Sequence, residues 1–253
     1  MSKIYSVEAL VLRARDYGEA DKILTLYTKE QGKVSAIAKG ARKPKSRLRG
    51  GVQLFSHSRI VLYRGPSLDT VTQAETVQAF APLREDLTFL SYASYLVELL
   101  DCAVPEREPH EGIFHLAINC LELFPEKDPE LVARFFEMHL LTFLGYQPYL
   151  SGCMKCGRLL EAGPFYLDPG TGGLVCRECS PDQDEKTQVT AGTASTLNRL
   201  LSLNKRSIFR LKVSREIRGE MDAALRVYLE YYLERKLKSR RILEDILQPA
   251  RGE

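Results

Sequence analysis

Hydrophobic and polar residues alternate with a period of about two over the first 80 residues, the spacing of half-buried β-strands. Five stretches that favour β-branched residues show this pattern: 5–14, 22–28, 33–38, 58–64 and 68–77. Glycines and a proline-containing loop separate them. Five short strands suit a small closed barrel, since closure removes exposed edges. The pattern predicts an OB-type barrel; an SH3-like barrel or a small sandwich would show much the same alternation.

After Pro82 the period changes to about 3.6, the repeat of an amphipathic helix. Three helices are predicted by three apolar stripes: Leu87, Leu90, Ala93, Val97 and Leu100; Ile113, Ala117, Leu121 and Phe124; and Val132, Phe136, Leu140 and Phe143. Asp128 and Pro129 fit the N-cap and first position of the third helix, and Gly145 is expected to end it.

Two more helices are predicted, over 194–203 and 215–238. The second is long, with Ser214 as its N-cap and an apolar stripe of Ile217, Met221, Leu225, Tyr228 and Tyr232. We expect this stripe to pack on the earlier helices in one bundle. The predicted class is α+β and multidomain: an OB-fold nucleic-acid-binding barrel (1–80), an α-helical domain (81–148 and 183–247) and an inserted four-cysteine unit (149–182).

Four of the six cysteines form two CxxC pairs in the inserted unit, Cys153 with Cys156 and Cys176 with Cys179. This spacing is typical of a zinc ribbon or knuckle. A zinc held by four thiolates has no open position for water, so we expect one structural Zn²⁺. A redox dithiol would need only one CxxC. Cys102 and Cys120 lie in apolar helical stretches and are predicted to be buried core thiols.

Charge is distributed unevenly along the chain. The net charge is only +3, but residues 1–80 contain fourteen Lys and Arg against seven acidic residues. Between Glu30 and Asp69 no residue is acidic and nine are basic: Lys33, Lys39, Arg42, Lys43, Lys45, Arg47, Arg49, Arg59 and Arg64. Such a run is often only a solvated surface. Here the like charges repel each other, so an anionic partner is the better explanation.

The densest part of this run, residues 39–49, is called the basic loop below. Its glycines and Pro44 predict a mobile loop that projects from the sheet. Single-stranded nucleic acid would also offer bases on which aromatic side chains stack. The barrel contains five candidates, of which we expect one or two at the surface: Tyr5, Tyr17, Tyr27, Phe55 and Tyr63.

Enzyme signatures are not found in the sequence. His110, Glu111 and His115 resemble a zinc-protease motif, but histidines five residues apart point about 140° away from each other on a helix. The His-x-Glu and PCxxC of a zinc nucleobase deaminase are missing, as are a P-loop, GxSxG and GxGxxG. The sequence has no signal-peptide pattern and no long apolar run, so a cytosolic protein is expected.

Residues 17–48, YGEADKILTLYTKEQGKVSAIAKGARKPKSRL, resemble the N-terminal barrel of the bacterial recombination mediator family RecO. The segment LREDL at 83–87, the Tyr- and Leu-rich helix after it, and the CxxC pairs after a GYxP-like turn at 145–148 follow in the family's order. The resemblance covers nearly the whole chain.

This resemblance implies a non-enzymatic repair protein, with a zinc-bearing insertion that some relatives lack. It implies binding of single- and double-stranded DNA and annealing of complementary strands in the bacterial cytoplasm, at the nucleoid. With RecR, such proteins help load RecA onto DNA coated by the single-stranded-DNA-binding protein, whose acidic C-terminal tail they contact. The matching motif assigns DNA contact to Lys39, Arg42, Lys43, Lys45, Arg47 and Arg49.

Two rival hypotheses remain open at this stage. A zinc-ribbon transcription or translation factor could use a basic barrel to bind structured RNA, and would then prefer RNA to single-stranded DNA. A metal-dependent nuclease with an unrecognised site would cleave nucleic acid in the presence of magnesium or manganese, which annealing alone does not do.

Overall fold

The computed structural model describes residues 3–159, 164–180, 187–203, 207–208 and 211–247. The chain divides into two compact units. The barrel unit contains the chain up to Glu126 together with the described residues from Lys238 onward, and the cysteine unit contains Lys127–Leu237. None of the described helices is long and apolar enough to cross a membrane.

The barrel unit begins with five strands, which are β1 (Ile4–Tyr17), β2 (Asp21–Thr28), β3 (Gly32–Ala38), β4 (His57–Tyr63) and β5 (Asp69–Gln78). They form a closed barrel in the order β1-β2-β3-β5-β4, and β4 pairs back to β1. All neighbours are antiparallel except β3 and β5. This is the Greek-key barrel of the OB fold, so the fold prediction is confirmed.

The barrel interior is filled by alternate residues of each strand, as the period of two predicted. Each of these side chains is at most 3% exposed: Val7, Ala9, Val11, Leu24, Leu26, Val34, Ala36, Ala38, Ile60, Leu62 and Val71. A break in the register between Val11 and Arg13 bends β1, which allows one long strand to pair with both β2 and β4.

Helices α1 (Pro82–Glu85), α2 (Leu87–Ala103) and α3 (Glu111–Leu123) follow the barrel. Asp86 is the N-cap of α2, and its carboxylate accepts the amide of Phe89. The predicted stripe of α2 is wrong at Leu87, which is 60% exposed because it occupies the first position of the helix. The N-cap of α3 is His110, whose Nδ1 accepts the amide of Ile113.

The cysteine unit contains α4 (Pro129–Phe143), α5 (Ala191–Ser202), α6 (Arg215–Leu233) and a small sheet of β6 (Phe165–Asp168), β7 (Gly173–Cys176) and β8 (Thr187–Val189). The strand order is β7-β6-β8. The predicted N-caps Asp128 and Ser214 are confirmed, since each side chain accepts amides of the first helical turn. Phe143, placed in the buried stripe of α4, is 40% exposed.

The prediction of one long helix over 215–238 is wrong. Helix α6 ends at Leu233, because Glu234 adopts a left-handed conformation with φ of 51°. A separate helix, α7 (Lys238–Leu247), begins after a break of four residues and belongs to the barrel unit. Both oxygens of Glu98 on α2 accept amides at its start, from Lys238 at 3.1 Å and Ser239 at 2.7 Å. A carboxylate at this end of a helix is stabilising.

The helices expected to form one bundle are thus distributed between the two units. Helices α2, α3 and α7 belong to the barrel unit, whereas α4, α5 and α6 belong to the cysteine unit. The three-part domain organisation stays a prediction.

Candidate metal centre and nucleic-acid interface

The sulfur atoms of Cys153, Cys156, Cys176 and Cys179 lie within 4.8 Å of one another. The Sγ atoms of Cys156 and Cys176 are 3.7 Å apart. Zinc–sulfur bonds of about 2.3 Å in a tetrahedron place sulfur atoms about 3.8 Å apart. The cluster therefore has the size of a site for one tetrahedral metal ion.

Local backbone structure brings the first CxxC pair into place. The carbonyl of Cys153 accepts the amide of Gly157 at 2.9 Å, and the amide of Cys153 binds the carbonyl of Arg158 at 2.8 Å. Gly157 has φ of +74°, a conformation in which a side chain would be strained. The amide of Met154 binds the carbonyl of Leu174 at 2.7 Å, which attaches this turn to β7.

The second pair lies at the end of the same sheet. Cys176 is the last residue of β7, and Cys179 follows in a short 3-10 turn, Arg177–Cys179. The amide of Cys176 donates to the sulfur of Cys153 at 3.3 Å. An Arg158–Glu178 ion pair, with its shortest distance at 2.7 Å, links the two CxxC segments outside the cluster.

The sulfur atoms of the cluster lie close enough to change one another's ionisation. Burial raises the pKa of Cys153, but backbone amides, led by that of Cys176, outweigh burial and lower it to about 6. Hydrogen bonding with the Cys176 and Cys156 thiols raises the pKa of Cys179 to about 12. Four thiolates at this spacing would repel one another without a cation between them. The donor set and the spacing both fit a thiolate-bound metal ion.

The remaining two cysteines lie elsewhere, in helices of the barrel unit. Cys120 on α3 is fully buried, as predicted for a core thiol, whereas Cys102 on α2 is only partly buried, so the prediction of a buried thiol is wrong there. Neither belongs to the group of four.

The basic loop forms the first part of the connection from β3 to β4 and follows a series of tight turns. The amide of Lys43 binds the carbonyl of Gly40 at 3.1 Å, and the amide of Ser46 binds the carbonyl of Lys43 at 3.0 Å. Fully buried side chains anchor the connection at both ends, Ala41 near its start and Val52 and Phe55 near its end. The cationic side chains therefore project from an ordered backbone.

All six residues assigned to DNA contact are exposed: Lys39, Arg42, Lys43, Lys45, Arg47 and Arg49. Arg42 is held by the turn between β1 and β2, where its Nη1 donates to the carbonyls of Gly18 and Glu19 and its Nε lies 3.2 Å from Asp16. Among the described residues, no carboxylate lies within 4.0 Å of the other five. Five cations of the loop thus have charge available for an anionic ligand.

The sequence alone overestimates how many of the nine cations lack an acidic neighbour. Lys33 is half-buried, donates to the carbonyl of Asp101 at 2.7 Å and lies 3.4 Å from its carboxylate. Arg59 on β4 stands in register with Glu8 on β1 and Glu75 on β5. Lys33 is therefore balanced by an acidic residue distant in sequence, and Arg59 has acidic neighbours on both adjacent strands, so not all nine cations are uncompensated.

The barrel aromatics separate into core and surface residues. Tyr27 and Phe55 are fully buried, and the hydroxyl of Tyr5 donates to the buried carboxylate of Asp69. Tyr17 and Tyr63 are 55% and 40% exposed. Two aromatics at the surface agree with the sequence-based expectation.

Comparison with known proteins gives matches along nearly the whole chain. Residues 1–80 match a family described as Recombination protein O N terminal, and residues 84–241 match Recombination protein O C terminal. A protein named DNA repair protein RecO from Pelotomaculum thermopropionicum is 44% identical over 250 residues, covering 99% of this chain and 97% of its own length. Proteins of that name from Symbiobacterium thermophilum and Desulforamulus reducens are 40% and 39% identical, covering 98% and 99% of this chain and 99% and 98% of their own lengths.

Proposed function

Since the chain belongs to the RecO family of DNA repair proteins, we propose that it is a non-enzymatic mediator that binds single- and double-stranded DNA and anneals complementary strands. The phosphate contacts are assigned to Lys39, Arg42, Lys43, Lys45, Arg47 and Arg49. The observation that carries this proposal is the exposure of these six cations on one barrel connection, five of them without a carboxylate partner among the described residues.

Annealing requires that two polyanions approach each other while their bases stay free to pair. Cations on an exposed loop meet phosphates and release condensed counterions, which lowers the repulsion between strands without any covalent step. For six contacts to a single strand, log K should fall with log salt at a slope of about −4, and more steeply for duplex DNA.

Family membership supports further partners, which we include in the proposal. With RecR, the protein would help load RecA onto DNA coated by the single-stranded-DNA-binding protein, and would contact that protein's acidic C-terminal tail. This activity would take place in the bacterial cytoplasm, at the nucleoid.

For the cysteine cluster we propose one structural Zn²⁺, bound by Cys153, Cys156, Cys176 and Cys179. Four thiolates are the donor set of structural zinc sites, and such a site leaves no position for water. The ion would crosslink the two CxxC turns and hold residues 149–182 together as an inserted unit. Elemental analysis of purified protein should find one zinc per chain; another metal, or none, would contradict this assignment.

Charge reversal tests the DNA-binding assignment. The triple variant Lys43→Glu, Lys45→Glu, Arg47→Glu leaves Arg42, which has a structural role, in place. We expect it to lose DNA binding and annealing at about 100 mM salt, because cations that release counterions become repulsive anions. The variant should keep the wild-type melting temperature, since these side chains are exposed.

A matched control applies the same charge change to exposed cations of the cysteine unit, Arg199→Glu, Lys212→Glu, Arg226→Glu. This control variant should retain most of the DNA affinity of the wild type. Equal losses in both variants would show that only net charge matters, and unchanged affinity in the loop variant would refute the assignment. Structured RNA outcompeting single-stranded DNA, or cleavage with magnesium, would overturn the proposed function itself.

The mediator role needs its own assay. Complementary oligonucleotides coated with single-stranded-DNA-binding protein should anneal faster when the chain is added, and RecR should modify that rate. Failure to anneal coated strands would leave a DNA-binding protein and remove the mediator role from the proposal.

A further inference from the structure

The turn between β1 and β2 places an exposed aromatic residue beside the basic loop. Tyr17 is the last residue of β1 and is 55% exposed. Gly18 follows it with φ of +55° and reverses the chain. The carbonyls of Gly18 and Glu19 accept the guanidinium of Arg42, and the carbonyl of Ala20 accepts its backbone amide at 2.9 Å. These three hydrogen bonds fix the turn against the loop.

Tyr17 continues a face of the barrel that points away from the core. Arg15 lies two residues before it, and side chains two apart share one face of a strand. Arg15 is in register with Ile23 of β2, which is in register with Ile37 of β3. Both isoleucines are only partly buried, and Lys39 of the basic loop follows two residues after Ile37. Apolar and cationic side chains therefore share this face.

The opposite end of the same face is occupied by the protein's own helix. Arg13 of β1 and Lys33 of β3 both bind the carboxylate of Asp101 on α2, Lys33 at 3.4 Å. Asp101 itself is nearly buried. The part of the face that stays open to a ligand is therefore the part next to Tyr17 and the basic loop.

Two of the three acidic residues around the turn make contacts within the protein. Asp16 is neutralised by Lys22 at 3.0 Å and Arg42 at 3.2 Å, and these cations, Lys22 first, lower the pKa of its carboxyl. Asp21 accepts the amide of Gly40 at 2.7 Å, which uses one of its oxygens to hold the loop. Glu19 is exposed and is the remaining acidic side chain of the turn.

We propose that Tyr17 is a base-stacking residue that makes this site favour single-stranded nucleic acid, with phosphates held by the basic loop and a base resting on the Tyr17 ring beside Ile23 and Ile37. The proposal deepens and rests on the proposed DNA-binding function. Unpaired bases expose faces that an aromatic ring can cover, whereas bases in a duplex are already stacked. In OB folds, oligonucleotides bind the face of the second and third strands and the loop between the first and second.

Tyr63 provides a matched control within the same barrel. It is 40% exposed, but it lies at the end of β4, in register with Ile4 at the start of β1. Tyr17 is at the other end of β1, on the order of 40 Å away along the strand. A base that stacks on Tyr17 is therefore out of reach of Tyr63.

The chain contains no tryptophan, so an introduced tryptophan is a unique fluorescent reporter. In the Tyr17→Trp variant, single-stranded oligonucleotides should quench the fluorescence at saturation, whereas Tyr63→Trp should respond weakly to the same DNA. In parallel, Tyr17→Ala should bind single strands about 5- to 150-fold more weakly, the range expected for loss of one stacked base. Tyr17→Phe should retain wild-type affinity because it keeps the ring. Duplex binding should be unchanged in all Tyr17 variants.

The outcomes separate this inference from the proposed function. If wild-type protein binds single strands and Tyr17→Ala binds them equally well, Tyr17 is not a stacking residue and the DNA-binding function stands. If Tyr17→Ala weakens the binding of single strands and of duplex equally, the proposed selectivity of Tyr17 for unpaired bases is refuted. If the wild-type protein binds neither form, both proposals fall together.

Discussion

The basic loop and the cysteine cluster are organised in opposite ways. The loop cations project outward from an anchored backbone, and five of them have no carboxylate partner among the described residues. The four cysteines converge, with sulfurs within 4.8 Å of one another. The loop presents charge that an external polyanion can neutralise, whereas the cluster gathers four sulfur donors around one point.

This difference predicts which property each site controls. Exposed cations contribute little to folding, because water already solvates them. A convergent thiolate cluster depends on its ion, and in small metal-bound domains the binding energy of the ion is part of the folding energy. Substitutions in the loop should therefore change affinity without changing stability. Substitutions in the cluster should change stability first.

The largest expected effect is that of Cys153→Ser combined with Cys156→Ser. We expect loss of the bound metal and loss of hydrogen-exchange protection in β6 and β7, since structural zinc contributes about 10–16 kcal/mol in zinc-finger peptides. Amide hydrogen exchange in the barrel strands should stay at the wild-type rate. Hydrogen–deuterium exchange with mass spectrometry would measure both units in one experiment.

Cys102→Ala is the control for this variant, because it removes a thiol from α2 that lies outside the cluster. It should retain the metal and the protection of β6 and β7. Full protection of these strands in the double serine variant would mean that the cysteine unit folds without its ion, and the contrast between the two sites would be lost.

A smaller effect is expected for Asp69→Asn. This variant tests whether a buried charge inside the barrel stabilises the fold, in contrast to the exposed charges of the basic loop. Asp69 is fully buried, and its carboxylate accepts from Tyr5, from the amide of Gly65 at 3.0 Å and from Arg107 at 3.0 Å. Burial alone would raise the pKa of Asp69, but these contacts lower it below its usual value. The substitution should cost about 1–3 kcal/mol at neutral pH.

The pH dependence of this effect has a definite sign. A carboxyl whose folded pKa is depressed stabilises the protein at pH values above its unfolded pKa, and this contribution is lost as pH falls through the folded pKa. The difference in unfolding free energy between wild type and Asp69→Asn should therefore be largest near neutrality and shrink below about pH 4. DNA affinity should be unaffected at neutral pH. A difference that grows on acidification would contradict this role.

Much of the fold could be predicted because one face of each barrel strand is buried. The alternation from Val34 to Ala38 predicts the bounds of β3 to within one residue. A shift of one position would turn all its apolar side chains towards solvent. The break between α6 and α7 could not be predicted in this way. Polar residues such as Glu234 and Arg235 do not oppose a helix, and the contacts of Glu98 that start α7 come from 140 residues earlier in the chain.

The two sites differ in the same respect. Most of the cluster geometry could be predicted from the CxxC spacing, because local backbone structure brings the two cysteines of each pair together. The charge count of the loop region, in contrast, needed the tertiary structure: Lys33 is balanced by Asp101 and Arg42 by Asp16. Tyr17 could be named among five aromatics from sequence, but its exposure beside Arg42 became visible only in the folded barrel.

The smallest effect distinguishes two neighbouring cations of the loop, Arg42 and Lys43. Lys43→Gln removes a charge that has no carboxylate partner among the described residues, so the slope of log K against log salt for single strands should become shallower by about 0.7. Its melting temperature should not change. Arg42→Gln also removes the contacts with Gly18, Glu19 and Asp16, so it should increase exchange in the turn between β1 and β2 as well. If the two variants behave identically in exchange, Arg42 does not hold this turn, and all loop cations act as equivalent ligands for phosphate.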